Sequence, residues 1–93
     1  MFENQFQQVA MQNRRLWIFT QRNNYLMKAE MLDSTTLKGE ISVVDDQYMR
    51  RAKVKKMYIS DTGMHCFMLS DHELFYNHFG SDTIQKIKVE SDS

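Results

Sequence analysis

The chain has 93 residues, with 12 Lys and Arg against 12 Asp and Glu, so its formal net charge is zero. This length is enough for one domain with one modest core. The balanced charge argues against a domain built mainly for contacts with nucleic-acid phosphates, where a basic excess is expected. One cysteine and three glycines exclude an internal disulfide, a cysteine-rich zinc site and a glycine-rich phosphate loop.

Taken in order, the N-terminal residues come first, and they are polar, which is unlike a signal peptide. No apolar run approaches the roughly 20 residues that a membrane-spanning helix needs. Cys66 lies in an apolar stretch, which favours a buried free thiol and a reducing compartment. We therefore expect a cytoplasmic protein without membrane contact.

The first half of the chain predicts strands around one short helix. Residues 2–13 fit either a helical stripe or a loose strand, and the pattern leaves this choice open. The apolar run at 16–20 predicts an N-terminal strand. Residues 25–32 predict a short helix, because their apolar residues recur at helical spacing. After a polar loop, residues 37–44 alternate in part and predict a further strand.

The second half predicts three short strands joined by tight connections. A basic, β-branched strand comes first, and the Ser-Asp-Thr-Gly turn after it suits a tight reversal, because glycine supplies a positive φ. An apolar strand, a polar corner, an aromatic strand and a closing helical turn follow. These segments lie at residues 51–58, 60–63, 64–69, 71–73, 74–79 and 81–89. Together they predict a mainly β fold, a small and strongly bent antiparallel β-barrel that binds something along one open side.

A dense basic run surrounds the start of the strand at 51–58. Five cations lie within seven residues: Arg50, Arg51, Lys53, Lys55 and Lys56. Two interpretations stay open. The run could contact nucleic acid, with bases stacked on Phe75 or Tyr76, or it could be a solvated edge strand that lysines protect from sheet-to-sheet pairing. Acidic residues nearby in sequence would offset its field, so we expect any nucleic-acid binding to be weak and salt-labile.

The sequence contains no pattern that indicates catalysis or a metal. His65, His72 and His78 do not form, with Cys66, the spacing of a zinc ligand set. His65 and Cys66 are adjacent in a predicted strand and so point to opposite faces, which separates a nucleophile from its base. We predict no catalytic residue, no metal site and no cofactor.

Residues 39–87 carry a pattern that resembles a tudor domain. The acidic pair at 45–46 stands at the acidic turn of that family, RRAKV at 50–54 at its aromatic-x-Ala-x-Val strand, and DHEL at 71–74 at its Asp-Tyr-Gly-Asn corner. SDTIQKI at 81–87 fits its closing turn, and residues from 9 onward resemble the segment before the core in extended tudor domains. The resemblance implies a single tudor-like domain over 1–93, with a strand-and-helix extension at 9–37 and a barrel core at 38–89.

The resemblance also places an aromatic cage for methylated side chains. Its positions here are Val43, Arg50, Leu69 and His72, with Leu74 at the cage asparagine. Two aliphatic residues, one arginine and one histidine thus replace four aromatic residues, which removes cation–π attraction, and Arg50 would repel a cation. We expect no useful affinity for methylated arginine or lysine.

The function implied is a non-catalytic module that binds a short unmethylated peptide segment of a partner protein. The resemblance implies a germline small-RNA (piRNA) complex as its setting, in the cytoplasm or in perinuclear germ granules. The predicted peptide contacts are Leu69, Asp71, His72, Leu74, Phe75 and Tyr76, where strand alternation turns at least one large aromatic away from the core. Two alternatives stay open: a nucleic-acid-binding small barrel that uses the basic run, and a phage or viral inhibitor of a host factor. The sequence leaves the oligomeric state open.

Overall fold

The computed structural model describes residues 7–21, 25–45 and 52–88, which form two four-stranded antiparallel sheets. Each sheet is a meander, so consecutive strands are neighbours. The first sheet contains β1 (Gln7–Gln12), β2 (Arg15–Thr20), β3 (Tyr25–Met31) and β4 (Leu37–Asp45). The second contains β5 (Lys56–Ile59), β6 (His65–Leu69), β7 (Leu74–His78) and β8 (Gln85–Lys86). The prediction of a mainly β, antiparallel fold is confirmed.

One core lies between the inner faces of the two sheets. Strand alternation places every second side chain of β2, β6 and β7 on the inner face. Burial of each large apolar side chain contributes roughly 1.5–3 kcal/mol. The core contains Trp17, Phe19, Leu26, Val44, Ala52, Val54, Met57, Cys66, Met68 and Phe75. Cys66 is a buried free thiol, as predicted.

Glutamine side chains join the two sheets along one edge. The side-chain amide of Gln8 donates to Met57 O at 2.9 Å and accepts from Met57 N–H at 3.2 Å. The amide of Gln21 likewise donates to Ala52 O at 3.1 Å and accepts from Val54 N–H at 3.0 Å. A primary amide carries the same kinds of donor and acceptor as a peptide group. Each glutamine therefore imitates one residue of a neighbouring strand.

The predicted barrel is wrong, because the sheets do not close into one. Across 7–21, 25–45 and 52–88, strand pairing stays within each sheet. A closed barrel needs a hydrogen-bonded ladder from each strand to the next, whereas the glutamines supply only isolated bonds. β4, which the tudor resemblance assigns to the barrel core, pairs with β3 of the first sheet.

The predicted helix over 25–32 is also wrong, because β3 occupies this segment. Apolar residues that suggested a helical stripe lie on both faces of the sheet: Leu26 is buried inside, whereas Met27 is half-buried on the outer side. The next inward residue is Lys28, so polarity does not alternate and the two-residue period is hidden. The open choice at 2–13 resolves to a strand for Gln7–Gln12.

Two predictions in the second half are confirmed only in part. The basic strand expected at 51–58 is regular from Lys56 onward, and Arg50 and Arg51 lie outside the described residues. The closing segment contains the short strand β8 and not a helical turn, although Ile84 does pack against the core. The predicted strands at 16–20, 37–44, 64–69 and 74–79 all form.

Two connections require left-handed backbone. The two-residue β1–β2 turn holds Asn13 at a φ of 50° and Arg14 at a φ of 62°, as a type I′ turn requires. In the β5–β6 turn, Gly63 has a φ of 76°, and a Cβ added there would lie 2.8 Å from Arg15 Cβ. This glycine lets the turn pack directly on the first sheet, where Trp17 Nε1 donates to Gly63 O at 2.9 Å.

Candidate binding site

The outer face of the second sheet carries a row of aromatic side chains. Because alternate residues of β5, β6 and β7 face the core, the residues between them point outward. The strand register places Tyr58 opposite Phe67, and Phe67 opposite Tyr76. We call this surface the aromatic face, and its residues are Tyr58, His65, Phe67, Leu69, Leu74, Tyr76 and His78.

The rings of the aromatic face contact one another. The ring centroids of Phe67 and Tyr76 are 5.3 Å apart, and those of His65 and Tyr76 are 5.8 Å apart. His65 Nδ1 and Tyr76 OH form a hydrogen bond of 2.7 Å, and His65 also packs edge-on against His78. Tyr58, at the end of the row, is 56% exposed. The row thus combines mutually supported rings with an open one, which suits apolar or planar ligand groups.

Two charged pairs lie at or near the β6–β7 corner. Lys55 Nζ lies 2.6 Å from Asp71 Oδ1, and Lys86 Nζ lies 3.1 Å from Glu73 Oε2. The hydrogen bond from the Lys55 ammonium holds the pKa of the Asp71 carboxyl below its usual value. Both pairs are exposed and so contribute little to stability. Lys86 is opposite the inward-facing Phe75 in the β7–β8 register, so it lies on the side of the second sheet away from the aromatic face.

The predicted peptide contacts lie mostly on or beside the aromatic face. Leu69 and Leu74 are directly opposite each other in the β6–β7 register, and Tyr76 stands on the same face. Asp71 and His72 are exposed in the adjoining corner. The structure therefore brings these five residues into one region.

Phe75 is the exception among the predicted contacts. It is 1% exposed and belongs to the core, so it cannot contact a ligand. The cause is strand alternation, which sends Phe75 inward and Tyr76 outward. The expectation that one of two successive aromatics points away from the core is confirmed, with Tyr76 as the outward one.

The described cage positions lie on two different sheets. Leu69, Leu74 and His72 share the aromatic face and its corner. Val43 lies on the outer face of the first sheet, on the opposite side of the protein, because β4 pairs with β3. Arg50 lies outside the described residues. Membership of two different sheets thus separates positions that the resemblance places together.

The described cations of the basic run have different surroundings. Lys53 is exposed ahead of β5, and Lys55 is paired with Asp71. Lys56 opens β5 and points to the same side as Tyr58, beside the aromatic face. Of the three described cations, Lys55 is therefore engaged by a carboxylate, whereas Lys53 and Lys56 are exposed to a ligand.

Tyr58 and Phe67 are the site residues that the sequence predictions missed. Tyr58 stands at the end of a basic segment, and Phe67 stands within an apolar strand that looked uniformly buried. The available signal was alternation: with Cys66 and Met68 inside, Phe67 must face outward. By the same alternation, Met57 faces the core and Tyr58 faces outward.

A buried lysine ties the first sheet to the β7–β8 connection. Lys28 is 4% exposed, and its Nζ donates to Asn77 Oδ1 at 2.6 Å, to His78 O at 2.8 Å and to Ser81 O. Nζ also lies 5.3 Å from the ring centroid of Trp17. Burial lowers the pKa of Lys28 from 10.5 to about 8, so the amine is mostly protonated at neutral pH.

The surroundings of these buried groups disfavour nucleophilic chemistry at Lys28 and Cys66. A cleft of about 520 Å³ opens beside Lys28, but the ammonium has no free lone pair for attack and directs its N–H groups to three acceptors. Burial raises the pKa of the Cys66 thiol to about 12, which keeps it from forming a thiolate. In the part of the chain that the structure describes, no three His, Cys, Asp or Glu side chains converge on a common point for a metal ion.

Comparisons with protein-family models, with curated proteins and with solved structures found no match. The tudor resemblance therefore stays a prediction from the sequence pattern. Among the described residues, no helix has the length and apolarity needed to cross a bilayer. The surfaces of the two sheets are consequently the features that bear on function.

Proposed function

We propose that this chain is a non-catalytic module that binds a short, extended and unmethylated segment of a partner protein on the aromatic face. The observation that supports this most strongly is the cross-strand row of Tyr58, Phe67 and Tyr76, with Leu69 and Leu74 beside it. Aromatic side chains held on a sheet offer large contact area at low entropic cost. Such residues carry much of the binding energy at protein interfaces.

The aromatic face favours apolar or aromatic anchors in the partner segment. Tyr58 is 56% exposed and Leu69 is 39% exposed, and the β5–β6 register makes them diagonal neighbours. An anchor seated between them removes apolar surface of both residues from water. Beside the anchor, the Asp71 carboxylate offers an acceptor and the Lys56 ammonium, on the same side of β5 as Tyr58, offers a donor to polar residues of the segment.

The same geometry supports an unmethylated ligand. An aromatic cage surrounds a methylated cation with rings, whereas Tyr58, Phe67 and Tyr76 lie side by side along one sheet face. Leu69 and Leu74 have no ring quadrupole to add. The cellular setting that we propose, a germline small-RNA (piRNA) complex, has the tudor resemblance as its only support.

One observation favours a second candidate, which is binding of single-stranded nucleic acid. Bases can stack on the aromatic row, and Lys56 points to the same side of β5 as Tyr58. Charge argues against strong binding, because Asp71 neutralises Lys55 and the chain has a formal net charge of zero. Few phosphates would be contacted, so affinity should fall steeply with added salt.

A peptide-display selection against the full chain tests the proposal. The affinity of a selected peptide, added free in solution, is measured by fluorescence anisotropy. Tyr58→Ala should weaken binding by about 2 kcal/mol or more, since it removes an exposed anchor ring. Val43→Ala is the matched control, because Val43 is 53% exposed but lies on the opposite outer face. Its binding should equal that of the wild type.

Three outcomes would change the conclusion. Failure of the selection, or wild-type affinity in both Tyr58→Ala and Tyr76→Ala, overturns the proposed peptide site. Tight binding of an oligothymidine at physiological salt, lost in Lys53→Glu plus Lys55→Glu, promotes the second candidate. Binding of a dimethylarginine peptide tighter than about 100 µM, which is about −5.5 kcal/mol, without binding of its unmethylated form contradicts the predicted preference.

A further inference from the structure

The outer face of the first sheet is apolar and, within the described chain, uncovered. We call it the aliphatic face, and its main residues are Val9, Met11, Ile18, Met27, Ile41 and Val43. Val9, Met11, Ile41 and Val43 are 59%, 57%, 57% and 53% exposed, respectively. Isolated exposed apolar residues are ordinary on a protein surface, whereas a continuous apolar patch is not.

The strand register places these apolar residues in one continuous patch. One row crosses all four strands: Val9, Ile18, Met27 and Val43. Met11 and Leu16 are paired next to this row. A shallow cleft beside them, lined in part by Leu16, Leu37 and Ile41, exposes only apolar atoms. The patch is therefore continuous from β1 to β4.

A sheet with two apolar faces is typical of a middle layer. Antiparallel sheets at a protein surface usually have one core face and one polar face, and contiguous apolar patches beyond a few hundred Å² mark interaction sites. The inner face of the first sheet is covered by the second sheet through the shared core. The aliphatic face lacks an equivalent layer in the described chain.

We infer that the aliphatic face binds the aliphatic face of a second copy of this chain. The result is a two-fold dimer with four layers of sheet, in which the two first sheets lie in the middle and stack about 10 Å apart. This inference goes beyond the proposed peptide binding and does not depend on it.

The size of the face supports a specific but modest dimer. Four strands about 4.8 Å apart, with six residues of about 3.4 Å rise, give a projected area of about 400 Å². Two such projections come to about 800 Å², and protruding side chains expose more area than the projection, so the buried area of the dimer lies near the lower limit for specific interfaces. We expect a dissociation constant in the micromolar range.

The charge distribution suits a self-complementary interface. A two-fold interface places each patch against its own copy, so a charged patch would repel itself. The central row has no charged residue, and the ion-paired residues Arg15, Glu30 and Lys38 lie on the other side of the sheet, in register with the inward-facing Trp17 and Lys28. The formal net charge of zero adds no general repulsion between copies.

Sedimentation velocity of the full chain over a range of concentrations, without ligand, tests the inference. The wild type should show a monomer–dimer equilibrium. Val9→Lys and Val43→Lys should each raise the dimer dissociation constant at least tenfold, because a two-fold interface buries each new charge twice. Ser34→Lys, an exposed position in the β3–β4 loop, adds the same charge and should leave the constant unchanged.

Folding of the variants is checked by circular dichroism melts at a concentration where the wild type is monomeric. Dilution of the unmodified wild type gives a measurement that needs no variant. The methyl resonances of Val9, Ile41 and Val43 should shift on dilution, whereas those of Leu69 and Leu74 should not.

Each remaining outcome overturns the inference. A wild type that is monomeric at every concentration means that the face is open or that a segment of the same chain covers it. A dimer with wild-type affinity in the Val9→Lys plus Val43→Lys variant has its interface elsewhere. A dimer that Tyr58→Ala disrupts uses the aromatic face, which would also identify a competitor for the proposed peptide site.

Discussion

The two outer faces of this protein differ in chemistry, although the two inner faces share one core. The aliphatic face ends in methyl and thioether groups, whereas Tyr58, His65, Tyr76 and His78 give the aromatic face hydroxyl groups and ring nitrogens. A contact made by a methyl group gains free energy mainly because apolar surface is removed from water. A tyrosine can keep its hydroxyl hydrated or bonded while its ring contacts a ligand. The aliphatic face therefore suits a long-lived protein interface, and the aromatic face suits reversible binding of a ligand.

The arrangement of the sheets makes these two uses compatible. The faces lie on opposite sides of the core, so a dimer through the aliphatic faces leaves both aromatic faces open. Such a dimer would present the two proposed peptide sites pointing away from each other. A partner with two binding segments and a linker long enough to span them would gain avidity without any new contact.

The two outer faces keep their relation only while the two sheets hold one relative position, and Gly63→Ala should disturb that position most. The added Cβ would collide with Gln12 O and lie 2.8 Å from Arg15 Cβ, and the φ of 76° disfavours alanine. We expect the free energy of unfolding to fall by about 3–5 kcal/mol. Guanidinium denaturation followed by the fluorescence of Trp17 measures it.

Gly80→Ala is the matched control for this change. A Cβ added at Gly80 would lie 3.5 Å from the nearest side-chain atom, which is ordinary contact. The loss there should stay below about 1 kcal/mol. Equal losses in the two variants would show that the β5–β6 turn does not pack against the first sheet as described.

Alanine substitution of two adjacent aromatics separates the inner and outer faces of the second sheet. Phe75→Ala opens a cavity in the core and should lower the free energy of unfolding by about 3–5 kcal/mol. Tyr76→Ala removes a half-buried outward ring and should cost about 1 kcal/mol, while it weakens capture of the selected peptide. Urea denaturation and anisotropy give the two readouts. The reverse order of stabilities would place the core on the wrong side of β7.

Lys28→Met tests the link between the first sheet and the β7–β8 connection. The substitution removes the donor to Asn77 Oδ1, His78 O and Ser81 O. Leaving these acceptors unpaired should lower the free energy of unfolding by about 1–3 kcal/mol at neutral pH. Lys38→Met, at an exposed lysine of the same sheet, should have a much smaller effect. Equal stability of the wild type and Lys28→Met would show that the buried ammonium stabilises nothing.

The pH dependence of stability gives a second test of Lys28. Burial lowers its pKa from 10.5 to about 8, so between these values the unfolded chain binds more protons than the folded one, and the free energy of unfolding rises with pH. Cys66 acts oppositely above pH 9.0, because burial raises its pKa to about 12 and the folded chain then holds the extra proton. Between about pH 8 and 9, the wild type should gain stability and Lys28→Met should not. A gain of equal size in both would exclude Lys28 as its source.

The positions of most strands could be predicted from the sequence, but the way in which the strands assemble could not. The strands at 16–20, 64–69 and 74–79 follow from short apolar or aromatic runs between turn residues. β3 was mistaken for a helix because its outward side is apolar as well, and because Lys28 occupies an inner position. Lys28 is tolerated there only through acceptors 49 to 53 residues away, such as Asn77 and Ser81. No pattern among residues close in sequence predicts such distant partners.

The barrel prediction was wrong for a related reason. Whether two meanders close into a barrel depends on pairing between distant strands, and here Gln8 and Gln21 replace that pairing with side-chain bonds. The candidate site was partly predictable, because alternation alone puts Tyr76 outward. Phe67 and Tyr58 join it only once the β5–β6–β7 register is known.

The smallest expected effect concerns the turn of the first sheet. The second sheet places glycine at its left-handed position, whereas the β1–β2 turn places Arg14 at a φ of 62°. A side chain costs roughly 1–2 kcal/mol in this conformation, and glycine loses about 0.5–1 kcal/mol of that advantage through its greater freedom when unfolded. Arg14→Gly should therefore raise the free energy of unfolding by about 0.5–1 kcal/mol. The bond from Met31 N–H to the carbonyl of residue 14, at 2.7 Å, is unaffected because it uses the backbone.

Asn13→Gly is the control and should gain less, since asparagine adopts this conformation more readily than arginine. Urea denaturation of both variants measures the difference, and a loss of stability in Arg14→Gly would mean that the arginine side chain makes a contact worth more than the strain it causes.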